Sequence, residues 1–308
     1  MKQTVLVTGG AGFIGSHVVD TLLEVDYEVA VVDDLSTGKI ENIPSRAAFY
    51  QLDIRKERLK EIFQVVNPDY VSHQAARANV PESLEEPVLY ADVNLVGSVN
   101  LLECCRRYEV KKVIYASTGG AVYGEPERLP VDESHPIRPL DPYGASKHHV
   151  EHHLHICLHN FGLQFTTLRY PNVYGPRQDP HGEAGVVAIF ASRMLDNEGV
   201  TINGSGEQAR DFVYVGDVAR ANLLALKAGK CREYNLGTGS GTSVNQLFRE
   251  LQKLTDYPQD PHHAPPQQGE VFKIALDSET AQRDLGWTAE VSLEEGLART
   301  VKSFRLRG

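Results

Sequence analysis

In the segment Tyr143-Gly144-Ala145-Ser146-Lys147 a phenol stands four residues ahead of an ammonium. On a helix that spacing puts both side chains on one face. A free tyrosine titrates near ~10, and a neighbouring positive charge favours its phenolate. Bringing that value to about 7 takes ~3 units, or ~4 kcal/mol. Two close positive charges in a dry site can supply it. Such a phenolate is a general base for a substrate hydroxyl. Taken alone, Y-x-x-x-K also fits an exposed helix start.

A second group is Thr8-Gly9-Gly10-Ala11-Gly12-Phe13-Ile14-Gly15, a G-x-x-G-x-x-G run between an apolar strand and a helical stretch. Glycines at Gly9, Gly12 and Gly15 let the backbone approach a pyrophosphate and let helix pack on strand. The amides at the helix start then face the anion. Asp33 closes the next apolar run, 18 residues past Gly15. A carboxylate there accepts hydrogen bonds from the adenosine ribose and repels a 2′-phosphate, which selects NAD over NADP. The alternative for Asp33 is a turn aspartate ahead of Ser36-Thr37-Gly38. The nicotinamide of such a cofactor is the second positive charge that Tyr143 needs.

These residues need a frame. Apolar runs at Val5–Val7, Val29–Val32, Phe49–Leu52, Tyr70–Ser72, Val113–Ala116 and Phe165–Leu168 alternate with helical stretches at 14–25, 55–66 and 92–108. Strands joined by helical crossovers predict an α/β fold, a doubly wound parallel sheet of Rossmann type. We assign residues 1–170 to a cofactor domain and 171–308 mainly to a smaller, discontinuous C-terminal substrate lobe. In that lobe Val200–Ile202 and Phe212–Tyr214 read as isolated strands and 258–266 as a loop. Leu293, Leu297, Val301 and Phe304 mark a closing amphipathic helix.

Composition narrows the function. The chain has 308 residues, 41% of them hydrophobic, and a net charge of −10. That balance argues against nucleic acid, which needs a basic face. No uninterrupted apolar run approaches the ~20 residues of a membrane span. The chain enters a strand at Thr4, so no cleaved leader is expected. Four cysteines without a C-x-x-C pair fit a reducing cytoplasm.

Taken in order, several segments resemble the extended short-chain dehydrogenase/reductases, and within them the UDP-glucose 4-epimerase family. They are T-G-G-A-G-F-I-G-S-H from Thr8, D-D-L-S-T-G from Asp33, L-D-I-R around Asp53 and H-Q-A-A from His73. They continue with Y-A-S-T-G-G-A-V-Y-G from Tyr115, Y-G-A-S-K from Tyr143, R-Y-P-N-V-Y-G-P-R-Q from Arg169 and R-D-F-V-Y-V from Arg210. The resemblance implies that Thr118 bridges the sugar 4-hydroxyl and Tyr143, and that Lys147 also holds the nicotinamide ribose. It implies cofactor contacts at Phe13, Ile14, Asp34, Ala75 and Ala76, with Asp53 and Ile54 in the adenine pocket. It implies substrate contacts at Arg77, Asn172, Val187, Arg210, Gln267 and Glu270. Asn172 and Arg210 would meet the uridine diphosphate, and Glu270 the uridine ribose. Gln267 stands where the family usually has an arginine on the diphosphate. Glutamine lacks the charge and the fork, a loss of ~1.5–3 kcal/mol. Arg210 then carries more of the phosphate, with Lys273 and Arg177 as candidates to share it.

The implied reaction takes a proton and a hydride from sugar carbon 4 and returns the hydride to the other face. Related 4,6-dehydratases carry Asp-Glu after the threonine; here Gly119-Gly120 follow Thr118, so dehydration is not expected. UDP-glucose and UDP-galactose are the expected pair. UDP-glucuronate, a UDP-N-acetylhexosamine and a catalytically silent NAD sensor are the alternatives. His148, His149, His152, His153, His155 and His159 include metal-compatible spacings of four, or form a solvent-facing or interfacial stripe. The second reading is expected, with no metal. The resemblance implies a homodimer built on this helix and the one at 92–108.

Overall fold

The computed structural model describes residues 2–181, 185–266 and 271–306. Seven parallel strands form one sheet in the order β11-β6-β5-β4-β1-β2-β3. The first three are β1 (Thr4–Thr8), β2 (Glu28–Asp33) and β3 (Ala48–Gln51); β4 is Tyr70–His73, β5 Lys112–Thr118, β6 Gln164–Tyr170 and β11 Glu233–Asn235. Val5, Leu6 and Val7 are fully buried, as expected of strands covered on both faces. The doubly wound sheet read from the sequence is therefore present.

On one face lie α1 (Phe13–Glu24) and α8 (Val215–Lys227). They enclose Val18, Leu22, Val218, Ala221 and Trp287. On the other lie α2 (Leu59–Val66), α5 (Gly97–Arg107) and α6 (Pro142–Phe161), around Phe63, Leu101, Val150 and Phe165. Asp141 caps α6 by accepting from Gly144 N at 2.7 Å, with Pro142 next. Gly162 ends it at φ +73°.

The helix expected at 92–108 starts earlier. Short α3 (Val80–Glu85) is followed by α4 (Pro87–Tyr90), a π-helical stretch (Ala91–Val96) and then α5. The continuous helix Pro87–Arg107 is long and apolar enough, by length and composition, to cross a membrane. Here its Tyr90, Asn94, Leu101 and Cys105 are buried in the domain. Helix α2 begins four residues later than expected. Arg55 is drawn back onto Asp53 and across to Asp92, and a turn replaces the first helical turn.

Beyond Tyr170 the chain builds a lobe and then returns to the sheet. Strand β7 (Asn172–Tyr174) pairs with β10 (Phe212–Tyr214), and β9 (Ala209–Arg210) with β12 (Thr242–Ser243). Helices α7 (Val186–Leu195), α9 (Val244–Thr255) and α11 (Leu293–Arg305) enclose Phe190, Phe248, Leu251, Leu297 and Val301. The expected closing helix is thus seen. Between α9 and α11 lies α10 (Glu279–Leu285). The expected loop at 258–266 is corrected in part. His262–Ala264 form β13, paired with β8 (Thr201–Asn203). No alternating pattern announces it, because main-chain bonds to a distant segment define it.

Candidate active site

The glycine loop joins β1 to α1. Gly9 has φ +68°, and a Cβ there would lie 2.6 Å from Ala75 N; at Gly15 it would lie 2.0 Å from Gly9 O. Internal packing alone demands both glycines. Gly12 differs, since an added Cβ would meet only Gly9 O, at 3.3 Å. It begins α1 with no side-chain cap, so no side chain satisfies the helix-start amides, which suits an anion.

Asp33 is 7% exposed. One carboxylate oxygen accepts from Ala11 N and the other from Leu35 N, both at 2.9 Å. It therefore serves the turn and the glycine loop together. A carboxylate offers ~four lone-pair sites, which leaves capacity for two ribose hydroxyls. Burial raises its pKa against those two amide bonds. Asp34 accepts from Ser36 N at 2.9 Å. The open helix start and the buried acceptor at β2 fit a dinucleotide such as NAD.

Asp53 is gripped by Arg55 at 2.6 Å and 2.9 Å, and Arg55 also reaches Asp92 at 2.5 Å. Burial raises the Asp53 pKa, but the Arg55 bonds outweigh it and hold the carboxyl low. The Ile54 side chain packs inward against Gly97, and its carbonyl accepts from Asn100. Past β4, Ala75 N donates to Thr8 Oγ1 at 3.3 Å, and Ala76 leads to Arg77.

The main chain of Arg77 is held on both sides by Asn94, at 2.8 Å and 3.0 Å. Asn94 Nδ2 also donates to Ser146 Oγ at 3.0 Å. One buried amide on the π-helical turn therefore ties the Arg77 loop to the helix carrying Tyr143. The sequence reading missed it. An asparagine inside an apolar helix was the available signal.

Strand β5 ends at Thr118, 7% exposed. The start of α6 is seated on the turn that follows, since a Cβ at Gly144 would lie 2.8 Å from Ala121 O. Tyr143 precedes that contact. Lys147 is buried, donates to Ala116 O at 2.8 Å, and lies 5.1 Å over the Tyr115 ring. Thr118 Oγ1 and Asn172 Oδ1 each lie 3.8 Å from the point where a Gly120 side chain would start. A side chain at Gly119 would instead run into Leu276 at 2.3 Å. Position 120 thus opens between the threonine and the lobe, and position 119 faces the interior.

In the lobe, Asn172 N donates to Asp211 O at 3.0 Å. Arg210 Nη1 donates to Ala209 O and to Phe272 O, at 3.1 Å and 3.3 Å. Val187 lies in the lobe core, 1% exposed. Gln267 and Glu270 lie outside the described residues. Arg177 is bound to Asp20 of α1 at 2.7 Å, which places it by the cofactor helix. Lys273 lies 5.7 Å over the Phe272 ring.

The histidine stripe is tied to protein groups. His148 bonds Glu151 at 2.9 Å, His149 the Ala145 carbonyl at 2.6 Å, and His155 Glu233 at 2.8 Å. Among the described residues no group of three His, Cys, Asp or Glu could hold a metal ion.

Comparison with known proteins bears on the whole arrangement. The profile of the NAD dependent epimerase/dehydratase family matches residues 5–237. The crystal structure of UDP-glucose 4-epimerase with UDP-glucose from Thermotoga maritima superposes with a TM-score of 0.98 and is 52% identical, covering 99% of both chains. The UDP-glucose 4-epimerase of Thermus thermophilus, in complex with NAD, gives 0.94 and 47%, covering 98% of this chain and 99% of that one. The UDP-glucose 4-epimerase of Mycolicibacterium smegmatis is 40% identical over 97% of this chain and 98% of its own. The likeness runs through sheet, loop and lobe alike, and on it this chain belongs to the NAD dependent epimerase/dehydratase family.

Proposed function

We propose that this protein is a nucleotide-sugar 4-epimerase that interconverts UDP-glucose and UDP-galactose. One observation carries the reading: the helix bearing Tyr143 and Lys147 is seated on the turn after Thr118, and that turn is bare. Position 120 opens between Thr118 and Asn172 with no acid or base to eliminate water. An Asp at position 119 would collide with Leu276.

The chain's own groups handle the proton. Lys147, fixed by Ala116 O, keeps positive charge beneath Tyr143 and favours its phenolate. The phenolate removes the proton of the sugar 4-hydroxyl, and Thr118 orients that hydroxyl. A bound NAD would supply the acceptor and donor for the hydride of carbon 4, so no net redox change would result. Once the 4-keto sugar has turned its other face, Tyr143 returns the proton. Gly9, Gly12, Gly15 and Asp33 would hold the cofactor. Arg210 and Asn172 would meet the diphosphate, which a chain of net charge −10 must attract locally.

The division of labour between residues 1–170 and 171–308 belongs to the same proposal, with β11 and α8 returned to the cofactor half. So does a cytoplasmic homodimer. Val88, Val96, Ile156 and Phe161 are exposed on the helix Pro87–Arg107 and on α6, an apolar surface suited to pairing. The test is incubation of the purified protein with UDP-glucose, with products identified by NMR. UDP-galactose should accumulate to equilibrium without net NADH. No conversion of any UDP-hexose, and no NADH transient, would overturn the reading in favour of a silent NAD-binding protein.

A further inference from the structure

Beneath the catalytic residues lies a buried charged cluster with no part in the chemistry above. Glu151 stands one turn beyond Lys147 and two beyond Tyr143 on α6, on the same face. It is 2% exposed. One carboxylate oxygen accepts from Ser117 Oγ at 2.7 Å and from Arg169 Nε at 3.0 Å. The other takes Arg169 Nη2 at 2.7 Å and His148 Nδ1 at 2.9 Å. Ser117 and Arg169 are register partners on β5 and β6, and the next pair is Thr118 with Tyr170. Arg169 Nη1 goes on to Tyr123 OH at 2.8 Å, and Tyr123 ends the turn that follows Thr118. Its hydroxyl donates to Asn235 Oδ1 at 2.8 Å.

The helix with Tyr143 and Lys147, the strand end with Thr118 and the turn after it therefore meet at one ion pair. A helix packed on a sheet by apolar contacts alone can slide or rotate slightly at little cost. A carboxylate bonded to two adjacent strands removes both freedoms. We propose that Glu151 and Arg169 are positioning residues for the reaction: they set the height and rotation of α6, and so the aim of Tyr143 and Lys147 at the hydroxyl held by Thr118. Misplacement of a reacting group by ~1 Å costs up to ~100-fold in rate.

Removing either charge strands the other in the interior and threatens folding. The neutral variant Ser117→Ala, which cuts the bond to β5 and leaves the ion pair intact, therefore carries the test, with Glu151→Gln beside it. The expected result for Ser117→Ala is a fall in kcat of about tenfold. KM for UDP-glucose should stay within about twofold, with NAD content at the wild-type value. Where Glu151→Gln folds, the double variant should lose less than the product of the two single losses. Wild-type kcat per folded, NAD-loaded Ser117→Ala protein, with only a lower melting temperature, would overturn the proposal and leave the cluster a structural ion pair.

The assay borrows the epimerase reading, and one measurement separates the two. The ultraviolet titration of the Tyr143 phenolate, taken against Tyr143→Phe, needs no turnover. If wild type converts no UDP-hexose, the functional reading fails. The positioning proposal then stands on an upward shift of that titration in Ser117→Ala and falls if the two curves coincide.

Discussion

His73 should make the stability of this protein acid-sensitive in a range where most carboxylates are still ionised. Its ring lies between Thr8 Oγ1 at 2.7 Å and Ser98 Oγ at 2.8 Å, and it is 1% exposed. Burial, helped by the charge of Lys147, lowers its pKa from 6.5 to about 3. Between those values the unfolded chain binds a proton that the native state refuses. The stabilisation is therefore complete above the unfolded value and is lost as pH falls toward the folded one. At pH 5 the unfolded imidazole is nearly all protonated and the native one is neutral, which costs about 2 kcal/mol relative to pH 7. Urea unfolding of NAD-saturated protein, followed by far-ultraviolet circular dichroism at both pH values, measures the loss. In His73→Gln the starting stability falls by about 1–3 kcal/mol for the lost hydrogen bond. Its further loss on acidification should be smaller than that of wild type by about 2 kcal/mol. Equal losses in the two proteins would refute the reasoning. The same neutrality matters to the site, because a protonated His73 would set a second cation beside Lys147.

Two more outcomes follow from the glycine loop and its acceptor. Gly15→Ala should abolish NAD retention, because its methyl group would lie 2.0 Å from the Gly9 carbonyl oxygen; cofactor absorbance after gel filtration checks this, and a fully loaded variant would contradict the packing argument. Asp33→Asn should weaken NAD about 10- to 100-fold, as charge-assisted bonds to ribose are lost, and should narrow the preference over NADP; calorimetric titration of cofactor-stripped protein that finds unchanged NAD affinity would show Asp33 to be a turn residue only.

The chemistry proposed for Tyr143, Lys147 and the glycine loop could be inferred from the chain because each rests on local spacing. Four residues on a helix, or three glycines at a strand-to-helix turn, carry their geometry with them. The parallel sheet was legible for a related reason. Strands buried on both faces read as unbroken apolar runs wherever they lie. The short pairings were not. Glu233–Asn235 joins the sheet beside β6, and His262–Ala264 joins Thr201–Asn203. Glu233–Asn235 and His262–Ala264 are too short to carry a pattern of their own, and main-chain bonds to distant partners define them.

The supporting groups were hidden for the same reason. Asn94 meets Ser146 from 52 residues away, and Ser117 meets Glu151 from 34. In the sequence these are one amide, one hydroxyl and one carboxylate among many. Charge and hydrogen-bonding capacity are written in the residue type, but burial and partnership come from packing. The amino-acid order thus determined which groups could exchange a proton and cradle a dinucleotide. Only the tertiary structure decided that Gly120, and not Gly119, has room for a side chain between Thr118 and Asn172. Only it decided that a buried Glu151–Arg169 pair stands one turn beyond Lys147 on α6, because both facts depend on which distant segments the sheet brings side by side.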